Sequence, residues 1–265
     1  MRAHVLVPLK DLVLAKSRLS GLLAPHERRA LAQAMAEDVL AALSSTAAVE
    51  GITLVSDDPG AQLLAQRYAA HRVSEQSLGC RGLNAVLERA CDELQQRLAQ
   101  SLPQTDAPVF IVMHADLPLL QPADIASVLE RQRLRGGVLV VSDDVGTGTN
   151  LLAFDESARP RFCFGADSCA RHLAAAQKAG IHGTTMHRDN LALDVDCPRD
   201  LAELLRRLET AQDASARHTR ALLLGTPLGQ RLQLVLAELS HFSSDTGPAL
   251  SDITVDDSTM KGAGR

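Results

Sequence analysis

The chain has 265 residues, 46% of them hydrophobic, which suffices for one large core; with 2% aromatics and no Trp, that core must be built from Ala, Leu and Val. So few rings remove the stacking platforms of single-stranded nucleic-acid binders, and a formal net charge of -5 argues against a broad nucleic-acid surface while leaving local basic clusters open. The five cysteines form no C-x-x-C pair and predict reduced thiols in the cytoplasm.

The N-terminus, "MRAHVLVPLK", lacks an apolar leader segment, so no signal peptide is expected. "HVLVP" (4–8) predicts a central strand ended by proline. "PHERRALAQAMAEDVLAAL" (25–43) predicts a helix, with Pro25 near its start and Leu31, Met35, Val39 and Leu43 at four-residue spacing. A strand over 51–58, a helix over 61–70 and a second helix over 82–100 follow. After a loop at 101–108 comes "VFIVMHADLPLL" (109–120), whose five leading apolar residues predict a buried strand. A helix over 122–134, a strand over 136–144, a strand over 149–154, and helices over 167–180 and 198–211 complete the alternation. Strands apolar on both faces, alternating with helices, predict a Rossmann-like α/β fold with a mostly parallel central sheet flanked by helices. Beyond about residue 213 the pattern changes. One amphipathic helix is expected within 221–242, serving either a homodimer contact or packing back on its own domain. The Ser/Thr/Gly/Asp-rich remainder, 243–265, is expected to be disordered. No apolar run approaches the roughly 18 residues of a membrane span, so no membrane partner is expected.

Open parallel sheets bind ligands beyond the carboxyl ends of their strands. A basic loop with Lys10, Lys16 and Arg18 follows the first strand. Asp116 follows the central strand, and a carboxylate there is costly to bury unless it binds something. "VGTGTN" (145–150) follows the 136–144 strand, "FGADS" (164–168) opens a helix, and "LALDVDCP" (191–198) carries Asp194 and Asp196. Carboxylates are hard ligands for magnesium, basic side chains hold a triphosphate, and Gly-rich turns or a helix N-terminus hold an anion. Together they predict metal-assisted transfer between phosphates.

"VPLKDLVLAKSRLSGLL", "GLNAVLERA", "ADLPLL", "GTGTNLL", "RFCFGADSCARHL" and "LALDVDCPRDL", in that order over about residues 1–210, resemble the 2-phospholactate/phosphoenolpyruvate guanylyltransferases of coenzyme F-420 (deazaflavin) biosynthesis. The resemblance implies a nucleotidyltransferase domain over 1–212, with 213–242 as a C-terminal extension. It implies transfer of GMP from GTP to a phosphorylated three-carbon acid (3-phospho-D-glycerate, phosphoenolpyruvate or 2-phospho-L-lactate), release of pyrophosphate, and passage of the product to the next enzyme. By the same resemblance Asp116 and Asp194, with Asp196 as a second candidate, would bind Mg2+. Thr149, Gly165 and Ser168 would bind the acid. Lys10, Lys16, Arg18, Gly82 and Asn84 would hold the nucleotide, with Lys16 and Arg18 serving catalysis by neutralising the leaving pyrophosphate.

Three rivals make distinct demands. A nucleotidyltransferase for sugar phosphates or molybdopterin has a Gly-rich loop after its first strand, yet no glycine precedes Gly21 here. A glycosyltransferase would place its D-x-D after the central strand, and "DVD" (194–196) comes late in the core. A non-catalytic nucleotide-binding regulator predicts a missing carboxylate, and both are present.

Overall fold

A computed structural model describes residues 1–10, 12, 16–101, 108–210 and 215–245. The expected tail falls almost wholly outside these residues, as do the middle of the 101–108 loop and part of the basic loop. The strands are β1 (Ala3–Pro8), β2 (Val49–Val55), β3 (His71–Val73), β4 (Val109–Met113), β5 (Val138–Val141), β6 (Leu151–Asp155) and β7 (Gly183–Met186). The helices are α1 (Pro25–Ser44), α2 (Ala61–Arg67), α3 (Leu83–Ser101), α4 (Pro122–Arg135), α5 (Ser168–Lys178), α6 (Asp189–Ala192), α7 (Pro198–Thr210), α8 (Arg217–Leu224) and α9 (Pro227–Asp245).

The seven strands form one sheet in the order β3-β2-β1-β4-β6-β5-β7. β1 pairs in parallel with β2 and β4, and β5 in parallel with β7, but β6 runs antiparallel between β4 and β5. "LLAF" is apolar on both faces because β6 is central, not because it is parallel. The reversal has a direct effect on the site. The parallel strands end on one rim, and β6 begins there, so the loop before β6 joins the loops after β1, β4, β5 and β7.

Alternation along each strand serves two cores. Val5, Val7, Ile111, Met113, Leu139 and Leu151 face α1, α2 and α4. Leu6, Phe110, Val112, Val140 and Phe154 face α3 and α5. The helix expected at 25–43 is buried nearly all round, down to Glu37 and Asp38, because a third cluster covers its outer side.

That cluster corrects the reading of the C-terminal segment. In place of one helix over 221–242 there are two, α8 and α9, broken at Gly225 and Thr226 ahead of Pro227. Proline fits the first turn of a new helix and cannot donate within a continuing one. Leu223 and Leu232 pack with Leu31 and Met35 of α1, Leu204 and Leu208 of α7, and Leu119, Leu193 and Val195. Asp38 accepts the His218 and Thr219 N–H groups, both at 2.8 Å, satisfying the open end of α8. Arg231 of α9 grips Glu27 of α1 with 2.7 Å contacts to both carboxylate oxygens. The segment thus packs back on the body of the chain. All five cysteines are free thiols. Among the described residues, no helix is long and apolar enough to cross a membrane.

Candidate active site

The rim gathers a compact charge cluster. Lys16 leaves the loop after β1 in the left-handed region (φ 58°) and buries its side chain to 7% exposure. Its Nζ donates to Asp116 Oδ2 at 2.5 Å and to Asp196 Oδ1 at 2.7 Å. Burial alone would favour neutral Lys16, but the two carboxylates outweigh it and its pKa rises. At an effective dielectric of about 20 the contact to Asp116 is worth roughly 6 kcal/mol, on the scale of the several kcal/mol of desolvation, and half-exposed Asp196 adds a smaller, solvent-screened amount. Burial opposes the Asp116 charge, yet Lys16 and then His114 hold its pKa below the usual range.

Asp194 lies beside this pair and, among the described residues, has no cation of its own. Burial, followed by the charges of Asp116 and Asp196, pushes its pKa up to about 6. Asn150 offsets part of this: its Nδ2 reaches Asp194 Oδ1 at 3.2 Å and the Leu191 carbonyl at 2.9 Å. A backbone contact from the Val195 N–H to the Asp116 carbonyl, 3.4 Å, draws the two acidic segments together. Among the described residues, Asp116 Oδ1 is buried with no hydrogen-bond partner. The three aspartates do not form a ready-made ligand cluster, since Lys16 Nζ contacts both Asp116 and Asp196. Their summed charge nevertheless exceeds that of the one lysine. The orphaned oxygen, the excess negative charge and the all-oxygen donor set fit a hard divalent cation.

A second group forms around Phe164. Asn84 clamps its main chain, donating to the carbonyl at 3.0 Å and accepting the N–H at 2.7 Å. The ring meets His114 and His172 edge-on, at 5.6 and 4.8 Å between centroids. His172 is buried among apolar groups, which pushes its pKa down to about 4, so it is neutral near pH 7. Its Nε2 accepts the Cys163 N–H at 2.9 Å, which leaves the proton on Nδ1, 3.1 Å from Thr149 Oγ1. Thr149 therefore accepts from His172 and keeps its own hydroxyl proton to donate. Ser168, buried, opens α5, and Gly165 takes a positive φ of 122° just ahead of it.

The Gly-rich turn differs from expectation. The Gly-rich turn over 145–150 is expected to hold an anion; its Thr147 and Gly148 N–H groups instead donate to Asp143 Oδ1 at 2.8 and 2.9 Å. The nest is filled by the chain's own carboxylate. A Cβ at Gly148 would fall 2.8 Å from Asp143 Oδ2, so glycine is what lets the turn close. Asp167 precedes α5 but makes no side-chain cap bond.

The expected residues therefore divide. Lys16, Asp116, Asp194 and Asp196 come together. Thr149 joins a chain through His172 to the FGADS segment. Asn84 positions Phe164, with both its amide groups engaged. Lys10, Arg18 and Gly82 are exposed. Asn150, Phe164 and His172 were not anticipated. Asn150 was visible as the polar residue starting an apolar strand, and His172 as a polar residue between Cys169 and Ala176 on the buried face of its helix.

The family described as "Guanylyl transferase CofC like" matches residues 3–222. The chain belongs to this family. It is 36% identical over 226 residues to a phosphoenolpyruvate guanylyltransferase from Conexibacter woesei, covering 84% of this chain and 96% of that one. It is 34% identical to one from Rubrobacter xylanophilus, covering 83% and 100%. Solved structures agree on the fold. A candidate nucleotide-diphospho-sugar transferase from Desulfovibrio desulfuricans G20 aligns with TM-score 0.68 at 15% identity, covering 88% of this chain and 98% of that one. A cytidylyltransferase from Leptospira borgpetersenii aligns with TM-score 0.51 at 10% identity, covering 94% and 100%. The enzyme is a nucleotidyltransferase of the guanylyltransferase kind, and the sugar-phosphate, molybdopterin, glycosyltransferase and regulator readings give way.

Proposed function

We propose that the chain transfers GMP from GTP to the phosphate of a three-carbon phospho-acid within F-420 biosynthesis. The names of the curated relatives support phosphoenolpyruvate as one acceptor of that class. The observation that carries the site is the joining of Lys16 to Asp116 and Asp196 beside Asp194.

In the reaction, an acceptor phosphate oxygen attacks the α-phosphorus of GTP. A new P–O bond forms, the α–β bridge breaks, and its electron pair leaves with pyrophosphate. No protein nucleophile is needed, and a phosphate dianion needs no general base at neutral pH. Lys16 offsets charge at the reacting phosphates, and Arg18, exposed and near it in sequence, is proposed to neutralise the leaving group. Thr149 donates its hydroxyl proton to the acid, oriented by His172, and Gly165 and Ser168 contribute main-chain and hydroxyl contacts beside it. Gly82 and Lys10 are assigned to the nucleotide, and Asn84 acts on it by holding Phe164. Asp116, Asp194 and Asp196 are the residues that would hold magnesium, which would supply charge neutralisation at the phosphates. Positioning and electrostatics carry the rate. The free thiols fit a cytoplasmic setting, and the product is passed to the next enzyme.

The test incubates the purified chain with GTP, magnesium and phosphoenolpyruvate, 2-phospho-L-lactate or 3-phospho-D-glycerate in turn, and measures pyrophosphate. Release that depends on one of the acids is expected. No release with any of them would reject the proposal.

A further inference from the structure

On the sheet face covered by α3 and α5, these two helices leave a valley between them. It is a groove open to solvent, of about 1100 Å3, somewhat above the roughly 300–1000 Å3 of clefts that take small ligands. None of Lys16, Asp116, Asp194, Asp196, Thr149 or Ser168 lines it.

Five cations do: Arg81 before α3, Arg89 on it, Arg161 in the segment before Phe162, and Arg171 and Lys178 on α5. All five are exposed, and none forms an ion pair among the described residues. Elsewhere arginines are commonly paired, as in Arg67 with Glu37, Arg133 with Glu130, and Arg206 and Arg207 with Glu203. The one carboxylate lining the valley, Glu88, is already taken: Arg159 holds it at 2.5 Å and the Phe162 N–H at 2.8 Å. Five like charges thus converge from separate segments onto walls that include Leu83, Phe162 and Ala175, in a chain whose net charge is -5. Apolar walls focus such a field, and an anion would relieve the repulsion.

We propose that this valley, which meets the nucleotide site at Gly82 and runs away from the aspartate cluster, is a second anion site for a ligand carrying at least two phosphate groups. Guanidinium groups match phosphate oxygens in paired hydrogen bonds. From Arg171 to Ala179 the wall runs two turns of helix, roughly 12 Å, which suits several phosphates in series better than one. The concavity favours a small ligand over a flat macromolecular surface. The cation cluster itself does not depend on the reaction proposed above, although the valley's mouth shares Gly82 with the nucleotide assignment. Gly82 and Asn84 stand at the valley too, so a test must separate a second site from an arm of the nucleotide site.

Inorganic tripolyphosphate would be titrated into the full chain by calorimetry, with and without saturating GTP, magnesium exceeding both. Binding of about one equivalent is expected to persist with GTP present. In the double variant Arg89→Glu/Arg171→Glu it should weaken at least about tenfold, with GTP affinity unchanged. Both side chains are exposed and, among the described residues, free of ion pairs; Arg171 makes one long contact, to the Ala166 carbonyl at 3.4 Å, so the variant should melt within a few degrees of the parent. Absence of binding, displacement by GTP, or unchanged binding in the double variant would each overturn the proposal. If GTP fails to bind, the proposed reaction fails, and the tripolyphosphate arm still decides the valley.

Discussion

Lys16 and Asp116 stand 100 residues apart in sequence and 2.5 Å apart in space, and the same ammonium reaches Asp196 at 2.7 Å. One buried cation therefore holds the loop after β1 against the loop after β4 and the segment before α7. Lys16→Met removes that cation and leaves Asp116, Asp194 and Asp196 facing one another. Turnover is expected to fall by about 100-fold or more, the scale of losing one positioned electrostatic donor. Magnesium should bind the variant more tightly, seen as a larger rise in melting temperature per increment of metal. Turnover close to the parent's would remove Lys16 from the catalytic scheme.

Asp116→Asn tests the opposite partner. Lys16 keeps Asp196, so the fold should persist, with a melting temperature within a few degrees of the parent. Magnesium-dependent pyrophosphate release should drop by roughly 100-fold or more. A folded Asp116→Asn protein with near-normal turnover would show that the metal role lies elsewhere.

Two buried groups set opposing pH dependences. Asp194 has a folded pKa raised to about 6 by burial and by Asp116 and Asp196. Between the unfolded value and 6 the folded state holds more protons, so this contribution is complete at low pH and is lost as pH rises through 6. His172 has a folded pKa depressed to about 4 by burial. Between about 4 and 6.5 the unfolded state takes up the proton, so stability falls as pH drops. Without divalent metal the two slopes oppose, and the parent's stability should be comparatively flat from pH 4 to 6. Asp194→Asn should expose a steeper acid loss, and His172→Gln should reverse the slope. Denaturant unfolding at several pH values reads both. Identical slopes in all three proteins would contradict the assignment.

The C-terminal helices should contribute stability from a distance. Leu223→Ala empties a fully buried position among Leu31, Met35 and Leu204 and is expected to cost about 2–5 kcal/mol. Asp38→Ala strips the acceptor from two N–H groups of α8, at about 1–3 kcal/mol. Chemical denaturation measures each. A cost below about 0.5 kcal/mol for Leu223→Ala would mean α8 is not docked in solution.

The sequence carried the large elements because their signals are local. β4 reads as five consecutive apolar residues, and α1 as apolar positions at helical spacing under a proline. β3 and β7 were not legible: "HRV" is three residues long and "GTTM" only half-buried, so neither shows a hydrophobic run. The direction of β6 was hidden for a different reason. Apolar faces report burial, and a central strand is buried whichever way it runs. At the site, Asp116 and Asp194 were legible as carboxylates closing apolar runs. That Lys16 lies between Asp116 and Asp196 was not, because chain order holds no distance. Asp143 filling the Gly-rich turn was likewise invisible, since a turn that cradles an anion does not declare whose anion it is.

The cluster that buries Leu223 and Leu232 also holds Leu119, three residues after Asp116, and Leu193 and Val195, which flank Asp194. The acidic segments are thus braced by side chains that follow them in the chain. A chain cut before α8 would carry every candidate site residue with no floor beneath two of its carboxylates.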